Sequence, residues 1–190
     1  MGAYTTRVIE EDEYRRLLDT LRNGYEYAGI RHRPNEKMAD ILNVEANLGI
    51  RLSDVLRLTP ASFRWDGESW VLDIREKKTS KKRHFVVPKP IKAYIDTLAV
   101  GKAENERIFR VSEDAVQLAV RNAAAYLGLH NVSTHSCRKM MAMKIYLASG
   151  KDLALTCDFL QHSSPAITQR YLNRSSQVME SAIEHSMFIA

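Results

Sequence analysis

Two short stretches of the sequence carry histidine, arginine and tyrosine side chains near the beginnings of predicted helices. STHSCRKMMAMKIY has His135 and Arg138 three residues apart, and LQHSSPAITQRYL has His162 and Tyr171 nine residues apart. The free backbone N–H groups at a helix N-terminus favour an anion, and the planar guanidinium of an arginine matches phosphate oxygens. The first stretch therefore predicts a phosphate site, and similar reasoning applies to the helix start in the second stretch.

Each of these residues also has an ordinary structural interpretation. Arg138 alone could pair with a surface carboxylate while His135 helps to cap its helix, and a lone tyrosine is usually a packing residue. A metal site made of His135, Cys137, Cys157 and His162 is a further alternative. Its spacing matches no common zinc pattern, and residues two apart on a helix diverge by about 200°. We therefore assign no metal ligands.

Most of the elements that position these residues are predicted to be helices. Apolar residues at helical spacing predict a first helix in EEDEYRRLLDTLRNG, a second over 35–48, and a third in SDVLRL with Ser53 as its cap. The helical pattern returns at KPIKAYIDTL and again over 116–127. Residues 135–149 are apolar on nearly every side, which predicts a central, buried helix.

The ends of the two helices that carry the chemistry have local signals. Ser133 or Thr134 can cap the buried helix, and Gly150 suits its C-terminal end. Ser164 followed by a proline predicts that the next helix covers 165–172.

The period of the apolar residues changes in the segment SFRWDGESWVLDIREKKTSKKRHFVVPKP. Asp66 and Gly67 predict a turn, residues 70–74 alternate, and a second run ends at Pro88. A small antiparallel sheet with a strongly basic loop between two of its strands accounts for this pattern. The predicted fold class is therefore mainly α with a small antiparallel β-sheet, an α+β arrangement.

Length and composition limit the class of protein. The chain has 190 residues, of which 45% are hydrophobic and 27% charged, as expected for one globular domain. The formal net charge of +5 attracts polyanions. The N-terminus lacks the apolar segment of a signal peptide, the two cysteines form no spaced framework, and no apolar stretch could cross a membrane. We expect a cytoplasmic protein with reduced thiols and no membrane partner.

Taken together, the motifs resemble the tyrosine recombinases, or phage-type integrases. That family has an arginine in a TGLR-x-x-E turn, a hairpin lysine, a His-x-x-Arg pair, a second His or Trp, and a nucleophilic tyrosine nine residues later. This sequence offers LGIRLSD, REKKTSKKRHFVVP, HSCR, LQHSS and TQRYL in that order, with 24 residues from Arg138 to His162. The catalytic residues that the resemblance implies are Arg51, Lys78, His135, Arg138, His162 and Tyr171.

The sequence departs from the family pattern at three points. Asp54 stands where the family more often has glutamate, and we expect its shorter carboxylate to orient Arg51. Several lysines lie in the hairpin; Lys78 is chosen because KT-x-K resembles the family's form, with Lys77 as the next candidate. Only about fifty residues precede Arg51, so we expect this chain to lack the N-terminal core-binding domain that clamps DNA in the family.

The resemblance also implies a domain organisation. Residues 1–190 are expected to form a single catalytic domain, either a piece of a longer enzyme or a short stand-alone integrase. Residues 174–190 are expected to form a helical tail that docks on a neighbouring protomer, as in the family, or packs on its own domain.

The implied reaction is cleavage and rejoining of DNA strands through a covalent 3′-phosphotyrosine intermediate. The arginines would stabilise the charge on phosphorus and lower the pKa of the Tyr171 hydroxyl, the histidines would move its proton, and Lys78 would protonate the leaving 5′ oxygen. No metal, nucleotide or other cofactor is needed. The implied partners are double-stranded DNA, three further copies of the chain in a homotetramer on DNA, and accessory DNA-bending or directionality proteins.

Further basic residues are candidates for contacts with the DNA backbone. They are Arg31, Arg33, Lys81, Lys82, Arg83 and Lys139, whereas Arg121 is better explained as a solvated surface charge. Two other functions are compatible with the same residues: a type IB topoisomerase-like strand transferase, and a DNA-binding regulator that has the fold without catalysis. Bound to DNA, the protein would be associated with the nucleoid.

Overall fold

The computed structural model describes residues 6–172, so the predicted tail at 174–190 lies outside the described part of the chain. Eight helices are found in this part: α1 (Glu11–Asn23), α2 (Glu36–Leu48), α3 (Leu52–Val55), α4 (Lys89–Leu98), α5 (Glu113–Tyr126), α6 (Thr134–Ala148), α7 (Leu153–Leu160) and α8 (Pro165–Leu172). The strands are β1 (Tyr25–Tyr27), β2 (Ile30–His32), β3 (Phe63–Trp65), β4 (Trp70–Arg75) and β5 (Lys82–Val86). This arrangement confirms the predicted α+β fold class.

The first two helices form where the sequence pattern places them. In α1 the apolar residues at helical spacing are buried, and Glu10 and Glu13 form a reciprocal capping box at its beginning. Helix α2 ends at Leu48 and is capped by Gly49, which adopts a left-handed conformation with φ of 59°. A Cβ at this position would collide with the Phe159 ring, so both the conformation and the space require glycine.

The three-stranded sheet contains the predicted basic loop. Strands β3, β4 and β5 are antiparallel in that order, and β4 pairs with β5 from Val71 opposite Val86 to Arg75 opposite Lys82. The loop that joins these two strands therefore covers 76–81, and Ser80 within it has a positive φ of 56°. The second small sheet, the β1–β2 hairpin, was not predicted because its three-residue strands are too short to show a period.

Helix α6 is buried at its beginning and exposed at its end. Ser133 is the N-cap and forms a capping box with Ser136, which selects between the two predicted caps. Cys137 and Arg138 are fully enclosed, but Leu147 is 53% exposed, so the prediction of burial on nearly every side is wrong for the last turns. Helix α3 also begins one residue before the predicted Ser53 cap, with Arg51 as its N-cap.

No helix between residues 6 and 172 is long and apolar enough to cross a membrane.

Candidate active site

Helix α6 and the turn between α7 and α8 bring three of the predicted site residues close to one tyrosine of α8. The centre of the Tyr171 ring lies 5.9 Å from that of His135 and 5.2 Å from that of His162, and both imidazoles approach it edge-on. The Lys139 ammonium lies 5.0 Å from the centre of the same ring, within the range of a cation–π contact. The predicted nucleophile is therefore surrounded by groups that can exchange a proton or supply positive charge.

Arg138 is held in the interior by backbone carbonyl groups. The residue is 1% exposed; its Nε donates to the carbonyl of Gly49 at 2.9 Å and its Nη2 donates to the carbonyl of Leu160 at 2.9 Å. These bonds tie the end of α2 and the end of α7 to α6. Burial lowers the pKa of Arg138, but an arginine stays protonated at neutral pH, so the site contains a fixed positive charge.

Arg51 is oriented by a carboxylate that was not assigned from the sequence. Its Nη1 donates to Oε2 of Glu76 at 2.5 Å, and the Glu76 side chain, just after β4, is fully buried. Asp54, the expected partner, instead accepts a hydrogen bond from the backbone N–H of Lys77 at 2.8 Å and lies 4.0 Å from Arg57. Glu76, and not the expected Asp54, therefore orients Arg51. In the sequence, Glu76 is marked only as an acidic residue within the basic segment REKKT.

The hairpin loop presents its lysines in different directions. The Lys77 ammonium donates to Glu113 at 2.9 Å, and that of Lys81 donates to the carbonyl of Gln161 at 3.2 Å. Lys78 is exposed and makes no ion pair within residues 6–172, and its charge lies close enough to His135 to help lower the pKa of that imidazole. Between the two candidates, the geometry favours Lys78 over Lys77.

Both histidines are neutral in the DNA-free protein. Burial lowers the pKa of His135 to about 4, with a further contribution from the Arg138 charge. Burial and the charges of Arg138 and Arg51 likewise lower the pKa of His162 to about 4. Nδ1 of His162 lies 3.0 Å from Oγ1 of the buried Thr168, which fixes the ring beside the tyrosine.

These low pKa values predict a loss of stability in mild acid. The unfolded chain takes up protons on its histidines near pH 6.5, whereas His135 and His162 in the folded protein do so near pH 4. The free energy of unfolding therefore has its full contribution from these two residues above about pH 6.5 and loses it as the pH falls toward 4. We expect a loss on the order of 1–2 kcal/mol per histidine between about pH 7 and pH 5. Between about pH 7 and pH 5 the unfolding temperature should fall less for His162→Asn than for the wild type. An equal fall in both proteins would contradict a neutral His162 in the folded protein.

The Tyr171 hydroxyl is enclosed in the resting structure. It is buried and has no hydrogen-bond partner within the described residues. Burial raises the pKa of Tyr171 to about 12, because the opposing effect of Arg138 is smaller than the cost of placing a phenolate away from water. The charges of Arg138 and Arg51 lower this pKa as expected, but the effect of burial is larger and the net shift is upward.

The candidate DNA contacts divide into exposed and buried groups. Four are exposed: Arg31, Arg33, Lys81 and Lys82. Arg83 is 1% exposed, because it faces inward from β5, and its guanidinium lies 3.7 Å from Glu76. Lys139 is 5% exposed and donates to the carbonyl of Thr6 at 2.5 Å. Arg83 is therefore too buried to contact DNA as expected. Lys139 is also buried and lies beside the Tyr171 ring.

The proposed alternative of a metal site finds no support in the geometry. Among residues 6–172 no group of three or more histidine, cysteine, aspartate or glutamate side chains could hold a metal ion. Cys137 and Cys157 are both buried free thiols, and the Cys157 thiol donates to the carbonyl of His162 at 3.5 Å.

Comparison with known proteins identifies the family of the chain. A model described as "Phage integrase family" matches residues 7–177. The probable integrase/recombinase YoeC of Bacillus subtilis (strain 168) is 32% identical over 133 residues, which cover 66% of this chain and 71% of that protein.

Solved structures share the fold at lower sequence identity. The catalytic domain of bacteriophage HP1 integrase superposes with a TM-score of 0.62 at 19% identity, covering 95% of both chains. The XerH site-specific recombinase bound to a palindromic difH substrate superposes with a TM-score of 0.68 at 18% identity. That match covers 95% of this chain and 53% of XerH, so the chain spans about half of that protein's length.

Proposed function

Because the chain belongs to the phage integrase family, we propose that it is a site-specific DNA recombinase that cleaves and rejoins strands through a phosphotyrosine. The observation that carries the proposal is the position of the Tyr171 ring beside both His135 and His162, with the fixed Arg138 charge close enough to act on the Tyr171 hydroxyl. A packing tyrosine has no need of two imidazoles and a buried guanidinium.

The two arginines supply the charge that phosphoryl transfer requires. A phosphodiester repels nucleophiles because it is an anion, and its five-coordinate transition state concentrates charge on the non-bridging oxygens. Arg138 is fixed by two carbonyls and Arg51 by the Glu76 carboxylate, so neither side chain has to reorganise during the reaction. Both guanidinium groups bind those oxygens.

The tyrosine becomes a nucleophile when its proton passes to a histidine. In the DNA-free protein burial and the arginine charges make both imidazoles weak bases. A bound phosphodiester brings a negative charge that offsets Arg138 and Arg51, which raises the pKa of His135 and His162 and makes them better proton acceptors. Proton removal from Tyr171 is therefore linked to the presence of the substrate.

Lys78 acts at the other end of the scissile bond. The 5′ oxygen of deoxyribose is a poor leaving group unless it is protonated, and the exposed ammonium at the tip of the hairpin can reach a bound strand and give it a proton. The 3′-phosphotyrosine preserves the bond energy, so attack by a 5′ hydroxyl rejoins the strand without a metal or nucleotide.

The wider assembly follows from this reaction. Duplex DNA lies across the exposed hairpin, with Lys81 and Lys82 near the phosphates and Arg31 and Arg33 on a second hairpin. Exchange between two duplexes uses four protomers, with accessory DNA-bending or directionality proteins deciding its outcome. The described residues act as the catalytic domain of this assembly, which is associated with the nucleoid when bound to DNA.

Trapping on nicked duplexes tests the proposal. In a duplex nicked near the cleavage position, attack releases a short fragment that carries the free 5′ hydroxyl, and its loss prevents rejoining. From a library of such duplexes we expect covalent complexes whose DNA, once sequenced, shows a preferred site. Supplying a second strand with a free 5′ hydroxyl should yield a recombinant product. Relaxation of supercoiled DNA without exchange would favour a type IB topoisomerase-like enzyme, and DNA binding without any covalent complex would favour an inactive regulator.

A further inference from the structure

One buried carboxylate contacts both an arginine of the site and the loop that carries the lysine. Oε2 of Glu76 accepts hydrogen bonds from Arg51 Nη1 at 2.5 Å and from the Thr79 hydroxyl at 2.6 Å. Thr79 directly follows Lys78 in the chain, and the Glu76 side chain is 0% exposed. Arg51 and the residue that follows Lys78 thus share one anchoring atom.

The Thr79 hydroxyl also holds the loop in its shape. Besides donating to Glu76, it accepts from the backbone N–H of Lys81 at 3.3 Å. Glu76 closes the base of the loop through its own backbone: its N–H donates to the carbonyl of Lys81 at 3.0 Å, and its carbonyl accepts from Ser80 at 2.9 Å. The hydroxyl therefore connects the tip of the loop to the buried side chain below it.

The environment of Glu76 favours the charged carboxylate. Burial opposes ionisation, but the hydrogen bonds from Thr79 and Arg51 and the charge of Arg83 together hold the pKa of Glu76 below its ordinary value. Arg83 is itself buried, lies 3.7 Å from Oε1, and sits between the rings of Phe85 and Phe159 at 5.1 Å from each centre. The buried Arg83 guanidinium thus balances the negative charge of the Glu76 carboxylate.

We propose that Glu76 is a positioning residue that holds Arg51 and, through the Thr79 hydroxyl, the Lys78 loop in one arrangement. The inference rests on the proposed function, because it assumes that Arg51 binds the phosphate and Lys78 protonates the leaving oxygen. Loss of the Thr79 hydroxyl frees the loop but leaves the Arg51–Glu76 pair, so it impairs the lysine alone. Loss of the Glu76 charge impairs both the arginine and the lysine.

A substrate with sulfur in place of the bridging 5′ oxygen separates these effects, because a thiolate leaves without a proton. Thr79→Val keeps the shape of the side chain and should slow cleavage of the ordinary phosphodiester roughly tenfold, with little change on the sulfur substrate. Thr79→Ser, which restores a hydroxyl, should recover most of the rate. Glu76→Gln should slow both substrates, since the amide cannot offset the Arg51 charge.

Two further variants separate a failure of the positioning role from a failure of the general-acid role. Thr97→Val removes an exposed hydroxyl on α4 that donates to the carbonyl of Tyr94, and it should change neither rate. Lys78→Ala should lose about 100-fold on the oxygen substrate and regain most of it with sulfur; failure to do so would overturn the general-acid role itself. If Lys78→Ala behaves as expected but Thr79→Val slows both substrates equally, or neither, the positioning role of Glu76 is wrong. Because Thr79 is exposed, we expect Thr79→Val to fold. Its rates on the two substrates therefore test the positioning role even if Glu76→Gln does not fold.

Discussion

Tyr171→Phe is expected to eliminate covalent attachment of DNA without harming the fold. The change removes one oxygen and preserves the aromatic ring that packs between His135 and His162. Since the hydroxyl is buried without a partner in the described part of the chain, its removal relieves a desolvation cost. The free energy of unfolding should therefore stay constant or rise by up to about 1 kcal/mol.

The measurement is a denaturing gel shift on a labelled, nicked duplex, with thermal unfolding as the control for folding. Tyr146→Phe offers a matched variant, because Tyr146 is a half-buried tyrosine on α6 that has the same ring and hydroxyl but does not lie between the two imidazoles. Adduct formation should be retained in Tyr146→Phe and lost in Tyr171→Phe. An adduct that persists in Tyr171→Phe would identify another nucleophile.

Arg138→Lys is expected to have the second largest effect. Lysine keeps a positive charge but lacks the planar guanidinium that donates to the carbonyls of Gly49 and Leu160 and has further N–H donors for a phosphate. We expect cleavage to fall by about 100-fold or more, the usual cost of removing one transition-state donor. Stability should also fall by about 1–3 kcal/mol, because buried carbonyl groups lose their partners.

Folding and catalysis are separated by measuring single-turnover cleavage well below the unfolding temperature of the variant. Arg121→Lys is the matched control, since Arg121 is an exposed residue of α5 and its replacement should alter neither quantity. Cleavage by folded Arg138→Lys within about threefold of the wild-type rate would show that this guanidinium does not stabilise the transition state.

Local features of the sequence predicted much of the fold. Helix α1 follows from its apolar period and acidic first turn, and the end of α2 follows from Gly49, because both depend on neighbouring residues along the chain. The start of α8 at Pro165 follows in the same way. The order and spacing of the motifs then indicated which side chains belong to one site, although local physics alone did not place Arg51 near α6.

The tertiary partners of the basic residues could not be predicted in this way. The run KKTSKKR offers no apolar alternation, so nothing in it shows that Arg83 faces the interior opposite Ile74 while Lys82 faces solvent. The choice of Glu76 over Asp54 as the partner of Arg51 depends on how β4 is positioned against α3, which is a long-range property.

The net shift in the pKa of Tyr171 could not be predicted for a similar reason. Counting nearby arginines predicts a lowered pKa for Tyr171, but the size of the burial cost depends on packing around α8 that the sequence does not show. With a pKa raised to about 12, the Tyr171 hydroxyl is a neutral phenol at neutral pH.

The central claim is that the Tyr171 oxygen attacks phosphorus, and locating the covalent bond tests it most directly. The wild-type protein would be trapped on a suicide duplex, digested with nuclease and protease, and analysed by tandem mass spectrometry. The account predicts a nucleotide 3′-phosphate on the tyrosine of the TQRYL segment, with a free 5′ hydroxyl on the released strand. A modification on Tyr146, on any other residue, or through a 5′-phosphate would contradict it.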